Sequence, residues 1–154
     1  MVLAGLFGVF LQDLIGRAIP DTPDLEAPVW QIDDVALAPD GAILLALPHP
    51  GRIQIYSRDA RFIRSFTVRP RGGAFAIDIV DGRLLAYIKR REVVEEMTMS
   101  GQVVQTTKIT DRAAYDAALR RDGRFGSLST DVHATTIEFT DGSLPLTIAH
   151  KAWH

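Results

Sequence analysis

Asp-Gly pairs recur along this chain at a fixed interval. They stand at Asp40-Gly41, Asp81-Gly82 and Asp122-Gly123, each 41 residues after the one before, and a further pair lies at Asp141-Gly142. Hairpin turns with positive backbone angles favour Asp-Gly, because glycine adopts them without steric cost and aspartate bonds to the local backbone. The spacing therefore predicts a repeated unit that is rich in hairpins.

The segments after Ala36 and Ile77 align at this offset without a gap. A second turn coincides as well, because Asp59-Ala60 falls on Ser100-Gly101. Alternating apolar residues and β-branched residues predict strands rather than helices. Each unit offers four such runs: VALAP, AILLALP, RIQIYSR and RFIRSFTV in the first, and FAIDIV, RLLAYIK, EVVEEMTM and QVVQTTKI in the second. One four-stranded antiparallel sheet every 40 to 45 residues or so is typical of a propeller blade.

The stretch IDDVALAPDGAILLALPHPGRIQIYSRDARFIRSF resembles an NHL-type β-propeller repeat. The likeness is clear over residues 32–68 and looser over 74–109, with Ala60 where the family usually has glycine. Closed propellers take roughly four to eight blades, and two blade-like units are recognisable here. The resemblance therefore implies a mainly β chain with two propeller-like four-stranded antiparallel sheets, which is an incomplete propeller.

The chain after residue 109 has a different pattern. TDRAAYDAALRR predicts a short helix over 111–121 with Asp111 as its N-cap, and Gly123 would end it. The tail TTIEFTDGSLPLTIAH predicts a C-terminal hairpin. Whether the third Asp-Gly pair begins another unit stays open. We expect one β domain over 30–154, with the helix and hairpin filling 110–154.

The first 19 residues are predicted to form a hydrophobic helix, followed by a linker over 20–29. Its apolar run is shorter than the ~20 residues that a bilayer span needs, and no basic residue precedes it as in a signal peptide. It could lie in a membrane interface, dock on a partner or on this chain's own sheet, or belong to a longer span. Membrane association is favoured over a freely soluble cytoplasmic protein. The expected contacts with partner or membrane are Leu3, Leu6, Phe7, Phe10, Leu11 and Leu14.

Composition excludes several classes of chemistry. A net charge of -2 gives no bulk attraction to nucleic acid or membrane. The chain has no cysteine, so disulfides, thiolate metal sites and cysteine nucleophiles are excluded. It has no Gly-x-Ser-x-Gly elbow and no phosphate-binding loop. The sequence predicts no cofactor, and the spacing of His150 and His154 at the chain end is not expected to hold a metal.

Six arginines and lysines invite the question of anion binding. The possible anion contacts are Arg64, Arg69, Arg71, Lys89, Arg90 and Arg91. On a regular strand, Phe62 and Phe66 would share a face with Arg64, as in a platform that stacks nucleic-acid bases. Nucleic acid is nevertheless not the expected partner, because solvated blade edges explain the cations equally well.

By elimination, the sequence predicts a non-enzymatic module for protein interaction or assembly. It would be an accessory subunit of a membrane-associated complex, binding a protein partner or itself through open sheet edges and the N-terminal apolar helix. One alternative is a small propeller-type hydrolase that uses loop residues such as His49 and Asp33. A second alternative is an RNA-binding NHL-like module.

Overall fold

Three antiparallel sheets make up the part of the chain described by the computed structural model, which is residues 25–27, 29, 31–69, 73–111, 113, 125–130, 134–139 and 145–149. Sheet 1 contains β1 (Asp34–Leu37), β2 (Ile43–Leu47), β3 (Arg52–Tyr56) and β4 (Phe62–Thr67), in that order. Sheet 2 contains β5 (Phe75–Val80), β6 (Arg83–Ile88), β7 (Val93–Met97) and β8 (Val103–Lys108), with a 3-10 turn at Lys89–Arg91. Sheet 3 runs in the order β11 (Leu146–Ala149), β10 (Ala134–Phe139) and β9 (Phe125–Thr130). The prediction of a mainly β chain with antiparallel four-stranded sheets is confirmed.

The 41-residue offset holds for the register of the last three strands of sheets 1 and 2. β3 and β7 begin and end 41 residues apart, and so do β4 and β8. The pairing with the outer strand is also irregular at the same place, opposite Ile55 and Tyr56 of β3 and opposite Glu96 and Met97 of β7. These three strands of sheet 2 are therefore a structural copy of those of sheet 1.

Equivalent turns share left-handed backbone positions even where the residue type differs. Gly51 has φ 77° and its counterpart Glu92 has φ 53°, while Ala60 has φ 60° and its counterpart Gly101 has φ 88°. Glycine adopts this region without cost, whereas residues with a Cβ do so under mild strain. The fold of the repeat thus imposes the turn geometry on Ala60 and Glu92.

Sheet 3 adds a strand to the predicted C-terminal hairpin. The hairpin itself is present, because β10 pairs with β11. The third Asp-Gly pair precedes β9, as the first two pairs precede β2 and β6, and β10 begins 41 residues after β7. The repeat, which the sequence left open at the third Asp-Gly pair, therefore continues here. Positions equivalent to β5, residues 116–121, lie outside the described part.

Asp111 is the described start of the predicted helix. Its side-chain oxygen accepts a hydrogen bond from the backbone N–H of Ala113 at 2.9 Å, which is the contact that an N-cap makes. The remainder of that helix falls outside the described residues. So does the whole hydrophobic segment 1–19, and with it Leu3, Leu6, Phe7, Phe10, Leu11 and Leu14. Within the described ranges, no helix is both long and apolar enough to cross a membrane.

Two apolar cores hold the sheets together. The first lies between sheets 1 and 2; sheet 1 contributes Leu44, Ala46, Ile53, Ile55 and Phe66, and sheet 2 contributes Leu84, Ala86, Ile88 and Met97. The second joins sheets 1 and 3; sheet 1 contributes Val35, Ile43, Leu45, Leu47 and Tyr56, and sheet 3 contributes Ile137, Leu146 and Ile148. Sheet 1 is therefore the middle layer, and the spatial order is sheet 3, sheet 1, sheet 2.

The segment Leu25–Val29 crosses the face of sheet 1 that sheet 3 also covers. Gln54 fixes it with two hydrogen bonds, accepting from the Ala27 N–H at 2.6 Å and donating to the Ala27 carbonyl at 3.0 Å. The Ser65 hydroxyl donates to the Leu25 carbonyl at 2.7 Å and accepts from the buried guanidinium of Arg52. Buried polar groups need partners of this kind, and here the sheet and the segment satisfy each other.

Candidate functional site

The two faces of each sheet can be matched through the 41-residue offset. We call the face of sheet 1 that packs on sheet 2 its forward face, and the opposite one its rear face. Sheet 2 packs on sheet 1 through residues that lie 41 positions after the rear-face residues of sheet 1. Sheet 3 packs on sheet 1 through Ile137, which lies 41 positions after Glu96, a residue on the forward face of sheet 2. Every packed contact thus joins a forward face to a rear face. In the described part of the chain, no sheet packs on the forward face of sheet 2 or on the rear face of sheet 3.

The forward face of sheet 2 has an apolar centre within a polar rim. Strand pairing places Leu85 beside Glu96 and Tyr87 beside Val94, all partly exposed. Val80 lies on the same face and is 41% exposed. The rim of this face contains Asp78, Arg83, Glu96, Gln105 and Thr107. Among the described residues, no sheet packs against it.

The forward face of sheet 2 resembles the buried forward face of sheet 1 at its centre but differs from it at its periphery. Leu85 and Val94 keep the apolar character of Leu44 and Ile53, their equivalents in the first core. At the periphery, by contrast, Glu96 stands in the place of Ile55. An apolar centre with a polar rim is the usual anatomy of a protein–protein interface. The face is adapted neither to full burial inside one chain nor to complete solvation.

The rear face of sheet 3 is made of small and polar residues. Thr136 pairs with Thr147 across the strands, and their hydroxyl oxygens lie 3.2 Å apart. Ala134 and Ala149 form the adjacent pair, and Glu138 is exposed at the end of β10. This face therefore carries short side chains whose hydroxyl groups already bond to one another.

The outer strands β4 and β8 form the open edges that the sequence predicts as binding surfaces. Each carries a bulge, at Ile63 and Val104, and these two residues are 49% and 51% exposed. Bulges and charged side chains are the usual devices that stop an edge from pairing with another strand. Here Arg64 and Lys108 supply such charges. The edges are therefore less suited to strand addition than the sheet faces are to docking.

The candidate anion contacts separate into two groups. Arg69, Lys89 and Arg90 are exposed at the end of the sheets where β4 and β6 finish. Arg91 lies at the same end, but its guanidinium forms an ion pair with Glu95. Arg64 is exposed in the middle of β4, and Arg71 lies outside the described residues. Anion binding by this set stays a prediction.

Phe62 and Phe66 do not share a strand face, contrary to the expectation for a regular strand. The bulge at Ile63 turns Phe62 towards the second core, where its ring meets Tyr56 edge-on at 5.8 Å. Phe66 lies in the first core, on the other side of the sheet. The aromatic platform that would accompany Arg64 in an RNA-binding surface is therefore not formed by these residues.

The hydrolase candidates Asp33 and His49 lie near one end of sheet 1. The carboxylate of Asp33 accepts a hydrogen bond from the Phe75 N–H at 3.1 Å, and that of Asp34 accepts one from the Ile77 N–H at 2.8 Å. Both acids therefore connect the start of β1 to β5. Burial raises the pKa of Asp33, and the Phe75 amide and the nearby His49 oppose that rise.

The raised pKa of Asp33 gives a pH-dependent prediction. Because the folded pKa exceeds the unfolded one, the folded state binds more protons, and stability falls as pH rises from about 4 through the folded pKa. Asparagine cannot ionise and still offers an oxygen to the Phe75 amide. We expect Asp33→Asn to raise the free energy of unfolding at pH 7, and this gain should shrink below pH ~4. Urea titrations at the two pH values measure it.

Asp59 supplies a control of opposite sign. It is exposed, and a hydrogen bond from its own backbone amide, followed by the charge of Arg61, lowers its pKa. Asp59→Asn should therefore lose stability at pH 7 and match the wild type in acid. A stabilisation by Asp33→Asn that does not depend on pH would contradict the prediction.

Groups of metal-ligating side chains do not occur among the described residues. His150 and His154 lie outside that part of the chain. The hydrogen bonds that Asp33 and Asp34 accept from the amides of Phe75 and Ile77 position β5 beside β1.

Comparisons with known proteins identify similarity of fold alone. No protein-family model matches the sequence. No curated protein matches it either. A catalytically inactive virginiamycin B lyase from Staphylococcus aureus, solved with quinupristin, has a TM-score of 0.48 and 15% identity, over 80% of this chain and 43% of that chain. Hsv2 from Kluyveromyces lactis has a TM-score of 0.38 and 12% identity, over 84% of this chain and 33% of that chain.

Both neighbours are β-propeller proteins. This chain spans less than half of the length of either one. In the described residues of this chain, three blade-like sheets pack in one direction, forward face to rear face.

Sequence reasoning missed the two end faces, although a signal for them exists. Applying the 41-residue offset to individual face positions pairs Leu85 with Leu44 and Val94 with Ile53. That comparison shows an apolar centre repeated in sheet 2. It does not show that this centre is left without a covering sheet, because that depends on where sheet 3 packs.

Proposed function

We propose that this chain is a non-enzymatic assembly module, an incomplete propeller of the NHL type that serves as an accessory subunit of a membrane-associated complex. The forward face of sheet 2 carries this proposal. It keeps the apolar centre of a blade-packing surface around Leu85, Tyr87 and Val94, and no described sheet covers it. The partner is a protein that presents a sheet face of the rear type.

Docking on a face, rather than pairing along an edge, follows from the chemistry of each surface. The bulges at Ile63 and Val104 interrupt the hydrogen-bonding register of the edges. The forward face offers apolar area at its centre and charges of both signs at its rim. Burial of the apolar centre would drive association, and the rim would set the orientation of the partner.

Membrane association in this proposal depends on the apolar residues of the N-terminal segment. Leu25 and Ala27 are hydrogen-bonded to sheet 1, so the chain that follows the N-terminal segment is attached to the β domain from residue 25 onward. A short apolar helix lying in the membrane interface would supply the affinity.

A photo-crosslinking experiment tests both parts in cells that express the chain naturally. The photoreactive residue p-benzoylphenylalanine replaces Val80, on the forward face of sheet 2. The matched control replaces Ile63, which has a similar exposure but lies on the outer strand of sheet 1. Each version is made as the full chain and with residues 2–19 deleted, and membranes are separated from the soluble fraction.

We expect a discrete crosslinked adduct from position 80 and none from position 63. Deletion of residues 2–19 should release the chain from the membrane fraction, while its β-type circular dichroism persists. Equal labelling at the two positions, or none at either, would reject the docking face. Unchanged fractionation of the deleted chain would reject membrane attachment through the N-terminal segment.

A further inference from the structure

The three sheets leave complementary faces at the two ends of their stack. In each packed contact a forward face meets a rear face, and this direction is the same for sheet 3 on sheet 1 and for sheet 1 on sheet 2. Within the described ranges, the faces on which no sheet packs are therefore the forward face of sheet 2 and the rear face of sheet 3. One molecule thus presents both halves of the contact that it uses internally.

Two such molecules can close a ring. Closed propellers contain roughly four to eight blades, and three sheets from each of two chains give six. The free forward face of each chain would meet the free rear face of the other. This is a head-to-tail arrangement that closes after two copies, so no surface is left to propagate a filament.

The area available favours the ring over a single contact. A sheet of this size, with strands of about five residues spaced ~4.8 Å apart, presents about 350 Å² per face. One face-to-face contact would bury about 700 Å², which is below the ~1,200 Å² of a stable interface. Ring closure forms two contacts and buries about 1,400 Å², within the standard range.

The side chains of the two faces are complementary in size. Large residues at the centre of the forward face, such as Leu85 and Val94, would meet short ones, such as Thr136 and Ala149. The hydroxyls of Thr136 and Thr147 bond to each other, which lowers the cost of burying them. At the rim of the forward face, Arg83 forms an ion pair with Glu96 at 3.7 Å, so this cation is already balanced within its own face.

We infer that the partner of the docking face is a second copy of this chain, and that two copies form a closed six-sheet ring. The inference rests on the proposed function, because it uses the same face of sheet 2. It adds the identity of the partner and a second contact surface, the rear face of sheet 3.

Native mass spectrometry of the full chain, released from detergent micelles, measures the assembly directly. The ring predicts a mass twice the 17.0 kDa of one chain. Two variants each place a cation on one free face: Leu85→Arg on sheet 2 and Thr147→Arg on sheet 3. Each should reduce the dimer at least tenfold, because in a symmetric ring it disrupts both contacts. Ile63→Arg, on an exposed outer strand, should leave the dimer unchanged.

Mixing the two variants tests the head-to-tail geometry. In a mixed dimer, one contact combines both substitutions and the other is entirely wild type. A mixture of Leu85→Arg and Thr147→Arg should therefore recover part of the dimer that neither variant forms alone. Circular dichroism of each variant establishes that the sheets are intact.

Other outcomes overturn the inference in distinguishable ways. A dimer that Leu85→Arg abolishes and Thr147→Arg leaves intact would be a two-fold contact of sheet 2 with itself, not a ring. A single-chain mass at every concentration, together with an adduct from position 80 to a different protein, would reject the second copy and retain the proposed function. A single-chain mass without any adduct would reject both.

Discussion

Gly101→Ala is expected to destabilise the fold by about 3 kcal/mol, as the midpoint of urea unfolding would show. Gly101 lies in the turn between β7 and β8, with φ 88°. A Cβ built there would stand 2.4 Å from Cγ and 2.6 Å from Cβ of Phe66, which belongs to sheet 1. The methyl group would therefore push the two sheets apart across their shared core. The close contact accounts for most of the cost.

Gly82→Ala separates the steric effect from backbone strain. Gly82 has φ 73°, but a Cβ there would meet nothing within 4 Å. It should cost only the ~1 kcal/mol of a left-handed alanine, a conformation that Ala60 already adopts in the equivalent of the Gly101 turn. In a Phe66→Gly background, which removes both the ring and the Cβ that alanine at 101 would meet, the cost of that alanine should fall to that of alanine at 82. Equal costs in the wild-type background would show that the packing of Phe66 is not the cause.

Gln54→Leu should have a similarly large effect, about 3 kcal/mol, through hydrogen bonds rather than packing. Leucine has nearly the same shape as glutamine, so the cavity is small. It cannot, however, bond to the N–H and carbonyl of Ala27, and each of these buried groups left unpaired costs about 1–3 kcal/mol. Chemical unfolding measures the loss. Limited proteolysis should also cut the segment around Ala27 faster.

Gln105→Leu is the matched control for this substitution. Gln105 is exposed on β8, so the same change of side chain should alter stability by no more than about 0.5 kcal/mol. If Gln54→Leu unfolds no more readily than this control, the hydrogen bonds between Gln54 and the N-terminal segment do not hold that segment to sheet 1.

Local chemistry explains why much of sheets 1 and 2 could be predicted. Asp40-Gly41 and Asp81-Gly82 specify tight turns, and strand alternation such as Ile53-Gln54-Ile55 follows directly from the two-residue period of a strand. The offset carried these signals from one unit to the next, and the structure places β7 and β8 where the offset predicts. Alternation of this kind is typical of a strand whose polar residues face solvent. The structure differs at Gln54, whose side chain is buried against Ala27.

Interactions between distant segments explain what sequence patterns did not reveal. The bulge at Ile63 sends Phe62 and Phe66 into different cores, although their spacing on a regular strand would put them on one face. Asp33 and Asp34 bond to amides of β5, about 40 residues further along the chain. Neither contact has a local signature, since each depends on which sheet comes to lie beside which.

By itself, the sequence determined the hairpin-rich repeat, its 41-residue length and most strand positions, because turns and strands are set by neighbouring residues. Only the tertiary structure decided that sheet 3 packs behind sheet 1, so that no described sheet lies on the forward face of sheet 2. The position of sheet 3 depends on how well Ile137, Leu146 and Ile148 fit against the rear face of sheet 1. The residues that meet in this contact are nearly 100 positions apart in the sequence. Burial of apolar area selects the final packing, and it acts on surfaces that exist only after the strands have formed.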